Sequence, residues 1–206
     1  MKRIFAISTM LLAGSLAGAQ EGINQTEDLI KKGEQTVKAV AEAKQQLEKT
    51  LATYNTLVEG QAVDPKASYK DLGKAVKDSE DRVADVTRRK EEMDVEGQKL
   101  FASWKTNVET ISSPELKKKS QDRLVATEAR YGKIATAGKD ARGEYDAFLG
   151  GLKEQITFLG NDLNPAALAS LKPEAAKLNA RAKEMFVKID AASAAATTSI
   201  DGMRQK

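Results

Sequence analysis

Residues 69–111 read YKDLGKAVKDSEDRVADVTRRKEEMDVEGQKLFASWKTNVETI, and apolar side chains recur in this stretch at alternating steps of three and four. Such a heptad pattern is typical of helices that pack lengthwise against other helices. The stretch therefore predicts one long helix with a narrow contact line. The positions on that line are Tyr69, Leu72, Val76, Ser79, Val83, Val86, Lys90, Met93, Gly97, Leu100, Trp104, Val108 and Ile111.

Prolines and glycines divide the chain into four such helices. Pro65, Pro114 and Pro165 each follow a residue with a capping side chain, and proline is favoured at the first helical position because its missing N–H would have no partner there. Short connections make successive helices antiparallel neighbours. The predicted fold is therefore all-α, an elongated up-down-up-down antiparallel four-helix bundle with coiled-coil-like packing. The predicted helices cover about residues 21–59, 66–111, 114–159 and 165–201.

Two places are predicted to disturb these helices. Pro173 lies inside the fourth helix, where proline lacks a backbone donor and crowds the preceding turn, so it should kink or restart that helix. Gly150 and Gly151 lie inside the third helix, where each glycine costs up to ~1 kcal/mol relative to alanine. This glycine pair is the expected break in the third helix.

The start of the chain, residues 1–19, has the pattern of a signal peptide. A Lys-Arg pair at positions 2–3 precedes the mostly apolar residues 4–16, and residues 17–19 offer the small side chains that signal peptidase reads. We expect cleavage after Ala19, which leaves 187 of the 206 residues; the alternative is an uncleaved membrane tail. No second apolar run of ~18 residues follows, so the mature chain is predicted to be soluble, not integral to a membrane, and periplasmic or secreted.

The composition removes several classes of chemistry. The chain has no histidine and no cysteine. This excludes the commonest general base, thiol nucleophiles, disulfides and zinc sites built from nitrogen and sulfur ligands. Carboxylates are plentiful but fall at predicted solvent-facing positions, among lysines and arginines. We therefore predict that the protein is not an enzyme and has no catalytic residues, cofactor or metal site.

One end of the bundle is predicted to project. The second and third helices have about 46 residues each, or about 70 Å at 1.5 Å per residue, and the first and fourth are shorter. When the helices are aligned from their turns, residues 104–123 extend about 10–15 Å past the first and fourth helices as a bare two-helix hairpin. We term residues 104–123 the tip hairpin and predict that it is a contact site.

The candidate contact residues of this end combine apolar and basic side chains. They are Phe101, Trp104, Val108, Ile111, Lys117, Lys118 and Lys119. Trp104 occupies a heptad position, so it either fills the core or anchors a partner. The lysine triplet lies in the first turn of a helix, where cations are disfavoured by the helix dipole. It either keeps the tip soluble or makes a weak contact with an anion or a lipid headgroup.

A series of short motifs follows in order along the segment from Tyr69 to about Ile189. They are Tyr69-x-x-Leu72, Ser79-Glu80-Asp81-Arg82, Leu100-Phe101-x-x-Trp104, Ile111-Ser112, Arg130-Tyr131, Phe148, Gln155-Ile156-x-Phe158-Leu159, Leu163-Asn164 and Leu168-x-Ser170-Leu171. With these motifs the segment resembles a bacterial family catalogued as domain of unknown function 2959, whose members are usually predicted secreted proteins or lipoproteins. The lipoprotein cysteine common in that family is absent here. The resemblance implies no activity, cofactor or catalytic residue.

These observations point to function through interaction. The net charge of +3 includes Lys2 and Arg3, so it falls to +1 once they are removed, and the charge signs are interleaved. Nucleic acid is therefore not an expected partner. We expect a structural or protein-interaction role in the cell envelope, with an unidentified envelope protein as partner and the oligomeric state open. The alternatives are a periplasmic holdase-type chaperone and a membrane-surface binder.

Overall fold

The protein is built from four long α-helices joined by short turns. The structure is a computed structural model that describes the backbone of residues 11–204 and the side chains of residues 21–204. Helix α1 packs against α2 and α4, and α3 packs against the same two helices. Within the described chain there is no strand, and the predicted all-α four-helix bundle is confirmed. The helices are α1 (Leu11–Val58), α2 (Pro65–Glu109), α3 (Pro114–Asn161) and α4 (Pro165–Arg204).

Side-chain caps start three of these helices where the sequence places them. Asp64, Ser113 and Asn164 each accept a hydrogen bond from a backbone N–H in the first turn of α2, α3 and α4, at 2.9, 3.4 and 2.9 Å. These bonds satisfy donors that have no partner inside the helix. Gly60, with φ of +75°, turns the chain after α1. The two turns that join α1 to α2 and α3 to α4 lie at the same end of the bundle, and the α2–α3 turn forms the opposite end.

The start of α1 differs from the prediction. The helix begins at Leu11, ten residues before the predicted start near Glu21. The predicted start near Glu21 concerned the chain after cleavage at Ala19, which begins just before that residue. Residues 11–19 of the predicted signal peptide continue α1, and residues 1–10 lie outside the described part of the chain.

Helices α3 and α4 continue through the positions where disturbance was predicted. No break occurs at Gly150 and Gly151, and α4 does not restart at Pro173. Pro173 is exposed, so the carbonyl that loses its helical donor can bind water. Buried side chains on both sides of each position, such as Leu171 and Ala175 around Pro173, hold the helix against the core.

Two clusters of buried apolar side chains fill the bundle. The larger core cluster lies toward the α1–α2 and α3–α4 turns and includes Leu47, Tyr54, Leu72, Phe148, Leu152, Leu178 and Met185. The second core cluster lies toward the α2–α3 turn. It contains Leu29, Met93, Leu100 and Met203, with Ile30, Phe101, Trp104, Tyr131 and Ile134 partly buried against them.

Candidate functional site

The described part of helix α4 stops at Arg204, well before the tip of the bundle. In its last turn Arg204 pairs with Glu34 of α1, and Gly202 lies against Arg130 of α3. From Arg130, α3 extends back sixteen residues to Pro114, which is about 24 Å at 1.5 Å per residue. The α2–α3 end therefore projects past α4, and by more than the predicted length.

Helix α1 reaches the tip only through residues near or before the expected cleavage site, whereas the predicted bare two-helix hairpin is that of the cleaved chain. The ion pair between Lys32 of α1 and Glu92 of α2, at 2.7 Å, fixes the register of these antiparallel helices. Leu11 lies 21 residues before Lys32, and Ser113 lies 21 residues after Glu92, so the two fall at the same level. In the described chain α1 therefore runs beside the tip hairpin, because it begins before the expected cleavage site.

The apolar candidates of the tip pack between helices. They are Phe101, Trp104, Val108 and Ile111. Val108 is 3% exposed, and the other three are half-buried. Phe101 meets Tyr131 edge-on with ring centroids 5.6 Å apart, and the Trp104 Nε1–H donates a hydrogen bond to Ser120 Oγ at 2.9 Å. These contacts hold α2 against α3, which favours core filling over a free binding anchor for Trp104.

The three basic candidates of the tip all have acidic partners within 3.0 Å. The pairs are Lys117–Glu109, Lys118–Asp122 and Lys119–Glu115. The last two are pairs between residues four apart on an exposed helix face, which contribute little to stability. The lysine triplet therefore does not form an unmatched positive patch.

The early end of α4 leaves an unfilled groove between α1 and α3. On α1, Ile23 precedes Glu34 by eleven residues, about three helical turns, so the two side chains point in directions that differ by only about 20°. On α3, Leu116 precedes Arg130 by fourteen residues, about four turns, so their directions differ by about 40°. Ile23 and Leu116 are 54% and 58% exposed, although both lie on predicted contact lines. They are exposed because α4, the helix that they would contact, ends before it reaches them.

Charged side chains flank these two apolar residues. Arg123 lies one heptad before Arg130, and neither arginine forms an ion pair with any described side chain. The Arg130 Nη1 is buried and has no hydrogen-bond partner among the described residues. Glu27, one heptad before Glu34 on α1, is exposed and equally without a described ion pair. We term this region the distal groove; its residues are Ile23, Glu27, Leu116, Arg123 and Arg130.

A second candidate site lies inside the bundle, between the two core clusters. All four helices line a cavity of about 500 Å³, which we term the interhelical cavity. At this level the contact lines carry small residues, including Gly138 on α3 and Ala192 and Ala196 on α4. Their side chains are too short to meet across the centre of the bundle. The cavity is partly open to solvent, and it is much larger than the voids of a well-packed interior.

The lining of the interhelical cavity is apolar with basic residues at its borders. Its charged members are Lys44, Lys90, Lys139 and Arg142, and the described lining contains no carboxylate. Lys44, Lys90 and Arg142 pair with Asp190, Asp94 and Asp146, which lie outside the lining. Lys139 has no ion-pair partner among the described residues. Among the charged lining residues, Lys139 is therefore the one whose positive charge is left without a described counter-ion.

The described residues contain no group of three or more metal-binding side chains placed to hold a metal ion. Burial, with a smaller effect of Glu80, raises the pKa of Tyr145 to about 12, so this cavity-lining phenol stays protonated at neutral pH. None of the described helices has both the length and the apolar character needed to cross a membrane.

Sequence reasoning placed residues beside the interhelical cavity but missed the cavity itself. Val83, Val86 and Lys90 lie on the predicted contact line of α2, and all three are only half-buried. The signal that could have revealed the cavity is the position of the small residues on the contact lines of the third and fourth helices. They lie at the same height along the bundle as Val83, Val86 and Lys90, but this is visible only when the antiparallel register of the helices is known.

Comparison with known proteins identifies a family but no characterised relative. A family model described as "Protein of unknown function (DUF2959)" matches residues 17–203. No curated protein and no solved structure matches the chain.

Proposed function

The chain belongs to the DUF2959 family of proteins of unknown function, and we propose that it is an interaction protein of the bacterial cell envelope whose distal groove receives a helix of a partner protein. One observation carries this proposal. Ile23 and Leu116 are large apolar side chains, more than half exposed, at positions where α4 would pack if it continued. Exposed apolar residues along an uncovered helix face are candidates for an interaction site.

The charges of the distal groove indicate which helix would fit. Along the filled part of the bundle, α4 offers Arg204 to Glu34 of α1 and Lys188 to Glu144 of α3. Beyond α4 the charge on this face of α3 is positive and no longer negative, because Arg123 lies one heptad after Leu116. An amphipathic partner helix would therefore place an acidic side chain toward Arg123 and a basic one toward Glu27.

The length of the groove is sufficient for a helix of ordinary size. From Arg130 to Leu116 the α3 wall extends fourteen residues, about 21 Å. A partner helix of about 14 residues would cover that distance, and helices of about 10–14 residues are common in globular proteins.

The cell-envelope location is supported by the start of the sequence. The basic residues at positions 2–3, the apolar residues 4–16 and the small residues 17–19 follow the order of a bacterial signal peptide. Fractionation of bacterial cells, with the mass of the mature chain measured, tests this part of the proposal. A periplasmic chain that begins at Gln20 is the expected result, and a cytoplasmic chain that retains Met1 would contradict it.

Site-specific crosslinking in the native bacterium tests the groove. A photoreactive benzoylphenylalanine replaces Leu116, and the cells are irradiated. We expect one discrete crosslinked partner, because a single helix fills the groove. The matched control places the same group at Val187, which is 63% exposed on α4 and remote from the groove.

A second substitution on the opposite wall makes this experiment specific. Ile23→Glu introduced together with the crosslinker at position 116 should abolish capture, because it puts a charge into the apolar half of the groove. Val95→Glu, at a half-exposed position of α2 outside the groove, is the control and should leave capture unchanged. Capture that survives Ile23→Glu, or identical products from positions 116 and 187, would refute the groove. A ladder of many products would instead indicate a holdase-type chaperone.

A further inference from the structure

We propose that the interhelical cavity binds one acyl chain of an anionic amphiphile, a class that includes fatty acids and lysophospholipids. This inference does not depend on the distal groove or on a protein partner. The cavity lies between the two core clusters, on the opposite side of Met93 and Ile134 from the tip hairpin. Its volume of about 500 Å³ falls within the range of ligand pockets, ~300–1,000 Å³.

The apolar lining suits a flexible hydrocarbon chain. Valines and leucine from α1, valines and Met93 from α2 and isoleucines from α3 and α4 face the space. The few uncharged polar members are single hydroxyl groups, namely Thr36, Thr87, Ser193 and Tyr145. A sugar or a nucleotide needs many convergent hydrogen-bonding groups, which this lining does not supply. A hydrocarbon chain needs only apolar contact, which the lining does supply.

The accessible part of the lining is basic. Most lining residues are buried or half-buried, and the exposed ones are Gly138, Lys139 and Arg142, which are neighbours on α3. The cavity therefore meets solvent beside this segment. Arg142 already binds Asp146 at 2.9 Å, whereas Lys139 has no described ion-pair partner. An anionic headgroup at this opening could pair with the Lys139 ammonium group while the acyl chain of the same ligand lies inside the cavity.

Lys139, the charged lining residue without a described ion-pair partner, gives the site its charge preference. A cationic amphiphile would find no counter-ion in the lining, and its headgroup would be repelled by Lys139, which has no described ion-pair partner. A neutral alcohol of the same length would bury the same apolar surface without the charge interaction. The headgroup is therefore expected to distinguish ligands whose chains are identical.

Displacement of a fluorescent fatty acid tests the proposal. The purified full chain is titrated with cis-parinaric acid, and the bound probe is then competed with palmitate, palmitoyl lysophosphatidylglycerol, hexadecanol and hexadecyltrimethylammonium. We expect saturation at one probe per chain and displacement by the anionic competitors. Hexadecanol should be about tenfold weaker, as expected for loss of a charge-assisted contact. Stronger competition by palmitate would identify a free fatty acid as the ligand, and stronger competition by the lysophospholipid would identify a lipid headgroup.

A variant that fills the cavity checks the location of the ligand. Gly138 lines the cavity, and a Cβ added there would have no atom within 4 Å, so Gly138→Leu can be accommodated in the helix. Leucine is also a better helix former than glycine, so the variant should fold. It should lose binding of the probe. Gly132→Leu is the matched control, because Gly132 is an exposed glycine of α3 with equally open space but lies outside the lining.

A second pair of variants checks the headgroup contact. Lys139→Gln should weaken the affinity for palmitate by about threefold, because an accessible ion pair contributes modestly to binding. It should leave the affinity for hexadecanol unchanged. Lys133→Gln, at an exposed lysine of α3 outside the lining, should leave both unchanged. Circular dichroism confirms that each variant is folded. Failure to saturate at one probe per chain, wild-type binding by Gly138→Leu, or equal competition by hexadecanol and palmitate would overturn the proposal.

Discussion

Gly97 of α2 lies directly beneath the ring of Tyr131 of α3, and a Cβ added at Gly97 would be 3.1 Å from Tyr131 Cζ. The ring is held from two other directions. Its hydroxyl donates a hydrogen bond to Asp94 at 2.5 Å, and Phe101 meets it edge-on. The interface between α2 and α3 is the least extensive in the bundle. This contact is therefore an important link between the two helices of the tip.

Gly97→Ala is expected to destabilise the protein by about 1–3 kcal/mol, the usual cost of overpacking. The Tyr131 ring cannot move aside without weakening its hydrogen bond to Asp94. Urea unfolding followed by circular dichroism measures the change. Gly132→Ala is the control: with open space around its Cβ, it should stabilise the helix by up to ~1 kcal/mol. A Gly97→Ala variant as stable as the wild type would show that the ring is free to shift.

Heptad spacing placed Gly97 and Ser79 on the contact line of α2 even though neither is a typical core residue. Both are buried. The spacing was sufficient because the helical repeat fixes the direction in which each position faces, whatever side chain it carries. Gly97 is tolerated because a ring from α3 lies over it, and Ser79 is tolerated because a threonine of α1 lies beside it. Both reasons depend on other helices, so the local sequence could not predict them.

The same spacing was misleading at Ile23 and Leu116. Both occupy contact-line positions, and both are exposed because α4 does not extend to their level. Periodicity describes which way a side chain points, but helix length and register decide whether anything lies opposite it. The interhelical cavity has a similar origin, since it depends on the level at which small residues of separate helices meet.

Thr50 and Ser79 form a buried hydrogen bond between α1 and α2, with their hydroxyl oxygens 2.8 Å apart. Ser79→Ala is expected to cost about 1 kcal/mol, because Thr50 then loses one of its polar partners. The Thr50→Val, Ser79→Ala double variant should lose less than the sum of the two single variants, because no partner is left unpaired. A double-mutant cycle from urea unfolding measures this coupling. Strict additivity would show that the two hydroxyls do not interact.

Acidic pH should weaken the link between α1 and α2. The hydrogen bond from Lys32, at 2.7 Å, lowers the pKa of Glu92, and Arg88 adds to the effect. Hydrogen bonds from Arg89 and Arg88 likewise lower the pKa of Asp85. Because the pKa values are lower in the folded state, the stabilisation is fully present above the unfolded values of about 4.3 for Glu and 3.9 for Asp. It is lost as the pH falls through the folded values.

The free energy of unfolding should therefore decrease as the pH is lowered from about 5 to 3. Glu92→Gln is expected to make this dependence shallower, because it removes one of the titrating groups. Glu91→Gln is the control, since Glu91 is exposed and has no ion pair among the described residues. Urea titrations at several pH values provide the measurement. Identical slopes for the two variants would contradict a specific role for Glu92.

The tip hairpin should open locally before the rest of the bundle unfolds, because α4 does not cover it. The indole N–H of Trp104 donates to Ser120 at 2.9 Å and is one of the contacts that close this hairpin. A lysine-specific protease should cleave after Lys117, Lys118 or Lys119 about tenfold faster in the Trp104→Ala variant than in the wild type. Truncation of a packed aromatic side chain raises the population of the open hairpin, which is the form that the protease cleaves. Trp104→Phe keeps the apolar contact and loses only the hydrogen bond, so its effect should be smaller. Equal cleavage rates for the wild type and both variants would show that Trp104 does not hold α2 and α3 together at the tip.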